Sequence, residues 1–206
     1  MATNSLYRYT SISVLLDMLM KKRLFLSNPK SWPDKTDAAF LEKYAEGKDI
    51  KALCFFQKSE SNQYWELYAK YGCMIEFETK KLLDKISSKK DFIHGNVSYV
   101  KQNNFSLEKY NKKLPFIKQF RYKSEAEYRV VCIGENKEMF IPIDLNSIKR
   151  ISISGDIKEE IADSLIVLIR KRIGKTLANK IEISHSRLYE NKVWLKKINP
   201  PKGGQK

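Results

Sequence analysis

The chain has 206 residues, with 39 Lys and Arg against 24 Asp and Glu for a formal charge of +15, and is 42% hydrophobic and 12% aromatic. That length and apolar content suit one folded domain with a real core and exclude a disordered tail; no apolar run approaches the roughly 18 residues that would span a membrane. The charge attracts polyanions, nucleic acid first among them, but the lysines lie in scattered short runs such as Lys80-Lys81 and Lys112-Lys113, so a merely basic surface is the other reading.

The opening MATNSLYRYT has no basic segment followed by an apolar stretch, and the expectation is a cytoplasmic protein. Cys54, Cys73 and Cys132 are an odd set without Cys-x-x-Cys spacing, which reads as buried, reduced thiols. With only His94 and His185 available, no zinc site is expected.

Tyr7-Arg8-Tyr9-Thr10 reads as a short strand whose hydroxyl end suits a helix cap. Ile12, Leu15, Leu16 and Leu19 then fall at helical spacing, predicting a helix over 12–22. Leu24 to Ser27 is the next strand, and the prolines at 29 and 33 predict an irregular loop carrying Asp34 and Asp37. Ala52 to Phe56 reads as a buried strand, Asn62 to Tyr68 as a short helix closed by Gly72, and Cys73 to Phe77 as a strand, with a helix over 80–86. Val97 to Val100 is a strand, 103–114 a polar connection, and 139–143 and 151–154 further strands. Asp156 suits the cap of the longest helix, 157–173, stopped by Gly174, and Ile181 to Ser184 is a late strand. The expected domain is 1–198, with 199–206 a flexible basic tail. Strands outnumber helices without strict alternation, so the predicted class is α+β.

The most informative stretch is Lys123-Ser-Glu-Ala-Glu-Tyr-Arg129, which leads into Val130-Val131-Cys132-Ile133. On a strand, Glu125 and Glu127 point to one face, and two carboxylates that close raise one another's pKa, a cost tolerated where a site needs it. The alternative is a solvated strand end with Arg129 as a salt-bridge partner. Gly174-Lys175-Thr176 is no phosphate loop, because Ile169 stands where the required glycine would be.

The order of blocks resembles an uncharacterised bacterial family, domain of unknown function 2971. The blocks are Leu6-Tyr-Arg-Tyr-Thr10, Lys22-Arg-Leu-Phe-Leu-Ser-Asn-Pro29, Trp32-Pro-Asp-Lys-Thr-Asp37, Tyr64-Trp-Glu-Leu-Tyr-Ala69, Gly72-Cys-Met-Ile-Glu-Phe77 and Glu125-Ala-Glu-Tyr-Arg129. Pro33 and Lys35-Thr36 depart from its pattern, although Asp34 and Asp37 remain.

A weaker resemblance is to the ADP-ribosyltransferase fold: a first strand with a basic residue and a hydroxyl, a helix, an L-x-L-S strand, and a late strand bearing a Glu. It implies a mixed or antiparallel split sheet with flanking helices and NAD as cofactor. It also implies Arg8 and Thr10 as NAD contacts, Glu127 as the catalytic carboxylate and Glu125 as its helper toward the acceptor. The chemistry suits these residue types. A carboxylate stabilises oxocarbenium character, a second one serves as general base, an arginine pairs with pyrophosphate, and Tyr9, Tyr64, Trp65 or Tyr68 stacks on a ring. Arg8, Ser27, Tyr68 and Glu127 are expected to converge on one cleft, which makes Ser27 and Tyr68 further cofactor contacts.

Each residue has a plainer reading. Arg8 pairs with Asp34 or Asp37, Trp65 and Tyr68 are core, and the aspartates cap their loop. The first functional reading is an ADP-ribosyltransferase-like toxin or antiphage effector acting on nucleic acid or protein, with a partner protein in such a system. The second is a non-catalytic basic module that grips DNA or RNA, with Lys112, Lys113, Lys118, Arg121 and Lys123 as one basic rim. A metal-dependent nuclease using Asp34, Asp37, Glu125 and Glu127 is the least supported reading. Glu127→Gln is expected to change folding stability by less than about 1 kcal/mol.

Overall fold

In the computed structural model, residues 3–87, 89–134, 140–188 and 197–198 are described. Strand β1 (Ser5–Ser11) runs directly into helix α1 (Ile12–Lys21), because the Ser11 hydroxyl accepts a hydrogen bond from Val14 N and so satisfies an otherwise orphaned helix donor. The helix stops where Lys22 turns left-handed and leads into β2 (Arg23–Phe25).

Asn28 and Pro29 start a single 3₁₀ turn, and then the chain departs from the expected irregular loop. Asp34 caps helix α2 (Lys35–Ala45) by accepting from Thr36 N and Asp37 N. Ala38, Leu41 and Ala45 recur at helical spacing and are buried, a periodicity that the two preceding prolines obscured. Strand β3 (Ile50–Phe56), helix α3 (Asn62–Tyr68), β4 (Gly72–Glu78) and α4 (Thr79–Ser87) follow in the expected order, but Ser61 and not Asn62 caps α3, Ala69 ends it while Gly72 opens β4, and β5 (Phe92–Asn96) was not anticipated.

Strand β6 (Ser98–Val100) pairs in parallel with β7 (Ile117–Gln119), and between them lie α5 (Leu107–Tyr110) and 3₁₀ turns. The remaining elements are β8 (Glu127–Ile133), β9 (Phe140–Pro142), β10 (Ile148–Ile153), α6 (Glu159–Ile173), α7 (Lys175–Ala178) and β11 (Glu182–His185). Asp156 does not cap α6; its N–H donates to the Ser154 hydroxyl, and the helix begins after Lys158. The predicted tail, 199–206, lies outside the described residues.

The architecture is α+β, built on a seven-stranded sheet in the order β11-β10-β4-β1-β3-β8-β5, antiparallel except for the β10–β11 pair. Its joints are unequal. β1 pairs with β4 from Ser5↔Glu78 to Ser11↔Gly72, and β3 with β8 from Ile50↔Ile133 to Phe56↔Glu127. β1 and β3, however, register only at Tyr7↔Phe56, so the sheet splits along this seam.

One face carries the main core, which receives Leu15 and Met18 of α1, Leu82 and Ile86 of α4, and Ala162 and Ile169 of α6. The other face has two smaller cores, one under Tyr64 and Trp65 of α3 and one under Leu41 and Ala45 of α2. The seam opens between them. No described helix is long and apolar enough to cross a membrane.

Candidate active site

The acid pair is not arranged as a strand pleat would place it. Phe120 to Glu125 form a 3₁₀ turn, Ala126 takes a left-handed conformation (φ 43), and β8 begins only at Glu127. The two carboxylates instead converge on a cation. Lys118 Nζ on β7 donates to Glu125 Oε2 at 2.6 Å and to Glu127 Oε2 at 3.1 Å, with Asp37 Oδ2 at 3.8 Å.

Arg129 lies two residues along β8 from Glu127 and is fully buried, so its side chain points to the same side. Its Nε donates to Glu127 Oε1 at 2.7 Å, and Nη1 and Nη2 hold Asp37 bidentately at 2.9 and 2.8 Å. Nη1 also donates to Pro115 O, and the guanidinium lies 5.4 Å from the centre of the Trp32 ring. Burial alone would push the Glu127 carboxyl up, but Arg129 and Lys118 outweigh it and hold it down at about 2. Burial likewise opposes the Lys118 charge, and Glu127, Glu125 and Asp37 overcome it, holding the ammonium well above the usual lysine range. Glu125 also accepts from the Tyr68 hydroxyl at 2.9 Å, and burial followed by Glu125 pushes that phenol up.

This network forms one wall of a cleft of about 600 Å³ at the seam. Arg8 and Tyr9 of β1, Cys54 and Phe56 of β3, Tyr68 of α3 and the segment Trp32–Asp37 complete the lining. By strand parity Arg8 belongs to the main-core face with Leu6, opposite Glu127. Both line the cleft because the sheet is open there, and Arg8 Nη1 donates across the gap to Cys54 O at 3.0 Å.

Arg8 pairs with neither Asp34 nor Asp37 and makes no ion pair among the described residues. Its Nε is buried with no hydrogen-bond partner, and burial pushes the guanidinium below its ordinary value. The Tyr9 hydroxyl and Asp34 Oδ2 are also buried and unpartnered. Of the four such side-chain atoms among the described residues, Arg8 Nε and Asp34 Oδ2 belong to residues that line the cleft, whereas Trp65 Nε1 and the Tyr9 hydroxyl, which neighbours Glu60 and Ser61, lie away from it. Buried polar groups are normally satisfied, and unsatisfied ones gathered on one cavity wall mark where a ligand's own polar atoms fit.

The other sequence-predicted residues are placed as follows. Thr10 is buried on β1 and Ser27 is partly buried, and neither is part of the lining. The Ser27 hydroxyl accepts from Trp32 Nε1 and donates to Ala52 O, so it orients a ring that does line the cleft. Trp65 is core, whereas Tyr68 is 41% exposed and faces the cleft. The five basic residues do not form one rim. Lys118 is drawn inward by three carboxylates, and Lys112 borders a separate hollow with Lys43 and Glu46. Arg121 overhangs the cleft, and Lys113 and Lys123 are exposed.

Sequence reasoning missed the central place of Lys118 and the Asp37–Arg129 pair. The signal was slight: a single lysine between Ile117 and the Gln119-Phe120 pair, and an arginine at strand parity with Glu127. Among the described residues, no group of three or more His, Cys, Asp or Glu is arranged to hold a metal ion; an ammonium stands between the acids.

No family model matches the chain, that of the resembled uncharacterised family included, and no curated protein matches its sequence. Among solved structures it is similar to Thermus sp. 2.9 DarT in complex with ADP-ribosylated ssDNA, at 11% identity and TM-score 0.46 over 89% of this chain and 94% of that chain. The same protein in complex with NAD+ gives 10% identity and TM-score 0.43, and with carba-NAD+ 13% and 0.43, each over 89% of this chain and 96% of that chain.

Proposed function

We propose that this chain is an ADP-ribosyltransferase-like enzyme that holds NAD in the seam cleft and acts on nucleic acid or protein, as a toxin or defence effector would. The observation that carries this reading is the pair of unpartnered polar atoms on cleft-lining residues, Arg8 Nε and Asp34 Oδ2, beside an acid pair whose deeper member is held ionised. The residues fit the group. A guanidinium without an acid partner suits a pyrophosphate, and Phe56, Tyr68 and Trp32 offer ring faces. NAD supplies an ADP-ribosyl group with nicotinamide as its leaving group, a bond whose cleavage builds positive charge.

Glu127 holds a fixed negative charge toward the cleft, with Arg129 and Lys118 preventing its protonation. Among the described residues Glu125 is held by Lys118 and Tyr68, one on each oxygen and neither of them a guanidinium, and it is the carboxylate we assign to take a proton from an acceptor. Lys118 bridges the two acids and holds them together. Thr10 and Ser27 receive no contact role; Ser27 acts through Trp32.

A second reading has its own observation. Both Glu127 oxygens are already engaged, one by Arg129 and one by Lys118, as in a structural ion network within a non-catalytic module. Calorimetric titration with NAD separates the two. The enzyme reading predicts saturable binding that weakens at least about 10-fold in Arg8→Met, the scale of one lost charge-assisted bond. A wild-type chain that binds no NAD leaves the module reading standing.

A further inference from the structure

Beside the cleft, and sharing Thr36, Lys118 and Arg121 with it, lies a second cavity of about 690 Å³. Its walls are aromatic and aliphatic: Phe40 and Phe105 form a tilted pair 5.1 Å apart, Val100 and Ile117 fill the side, and Phe120 stands 42% exposed at the mouth. Its polar members are Lys101, Arg121 and the amides of Gln102 and Gln119, and no carboxylate lines it. The ammonium groups of Lys101 and Lys123 lie 5.3 and 5.4 Å from the Phe120 ring centre. Lys101, Arg121 and Lys123 are exposed and make no ion pair among the described residues, unlike Lys118 behind them.

These features together describe a planar, anionic occupant. An exposed phenylalanine is costly in water, and two uncompensated ammonium groups over its ring add mutual repulsion, so both gain when a flat ring carried on a negative backbone lands there. The cavity is recessed, and a base still stacked in a duplex would not reach it. We propose that this second cavity binds an unstacked base of a single-stranded nucleic acid. Phe120 and Phe105 are its stacking faces, and Lys101, Arg121 and Lys123 grip the flanking phosphates. The amides of Gln102 and Gln119 are placed to meet the base edge. The strand would thereby lie beside Glu125, and its role as the acceptor of the transfer rests on the reading of the neighbouring cleft. Its binding does not.

The test is fluorescence anisotropy with a labelled single-stranded oligonucleotide about 12 nucleotides long, within the span of a single-strand binding groove. Phe120→Ala should weaken binding about 10-fold, the effect of one lost stacking face, while Phe120→Trp retains it. Removing Lys101 and Lys123 together should flatten the log-affinity against log-salt slope by about 1.4 for two lost phosphate contacts. NAD affinity should be unchanged in all three variants, because none of these residues lines the cleft. Wild-type affinity in Phe120→Ala would overturn the proposal, as would equal affinity for a duplex, or capture of an anionic peptide in preference to the strand. If the wild type binds the strand but not NAD, the cavity stands and the cleft reading fails; if it binds NAD but not the strand, the cavity proposal alone falls.

Discussion

At the residue scale, Arg8 and Glu127 are opposite cases of a partly or fully buried charge. Among the described residues Arg8 has no acid partner, and its Nε is orphaned, so its charge is a burden on the unliganded fold. Arg8→Met should therefore leave stability in urea within about 1 kcal/mol of wild type, or raise it, while NAD binding weakens at least about 10-fold. Glu127 sits 3% exposed between Arg129 and Lys118, and its removal leaves Arg129 short of a partner. Glu127→Gln should thus cost about 3–5 kcal/mol of unfolding free energy, not the sub-kilocalorie change that a site away from the core would show.

The pH dependence has a definite sign. The folded Glu127 carboxyl titrates at about 2 against an ordinary value of 4.5. Its contribution, about 3 kcal/mol, is present above pH 4.5 and is lost as pH falls toward 2. Asp37, pushed up by burial, works in the opposite sense, so the quantity to measure is the wild-type curve minus that of Glu127→Gln. The difference should shrink as pH falls from 4.5 to 2; a constant difference would contradict the ion-network geometry.

At the scale of elements, one close backbone approach joins β1 to β4 and one helix cap sits at the cleft. Gly72 opens β4 against the end of β1, where an added Cβ would overlap the Thr10 carbonyl oxygen. Gly72→Ala should destabilise the fold by more than about 2 kcal/mol, and chemical denaturation with an unchanged m-value would show it. Asp34 both caps α2 and turns an unpartnered oxygen to the cleft. Asp34→Ala should lose about 1 kcal/mol through the cap.

The strands carrying Arg8 and Glu127 and the helix carrying Tyr68 were legible because their apolar residues recur with clear periods. Helix α2 was not, since the Pro29 and Pro33 signals outweighed a three-residue stripe of Ala38, Leu41 and Ala45. The register of Glu125 was also hidden. Nothing local marks Ala126 for a left-handed turn, a conformation that alanine adopts against its steric preference, and so the pair read as neighbours on one strand. Lys118 read as rim because a lysine's burial depends on carboxylates distant in the chain, Asp37 among them.

At the scale of the whole molecule, the split between β1 and β3 brings a first-strand arginine, a capping aspartate from α2 and a late acidic pair around one opening. The +15 charge is not spread evenly around that opening: acids and their paired cations fill the cleft wall, and Lys101, Arg121 and, by the Phe120 ring, Lys123, which make no ion pair among the described residues, stand at the cavity beside it. On the proposed reading, this juxtaposition sets a donor cleft beside an acceptor cavity. The most direct measurement is nicotinamide released from NAD by the purified chain, with Glu125→Gln as the paired variant. The transferase reading predicts release by wild type, accelerated by single-stranded nucleic acid, and a drop of about 100-fold in the accelerated rate for Glu125→Gln. A folded wild-type chain that releases no nicotinamide at saturating NAD, with or without the strand, would contradict it.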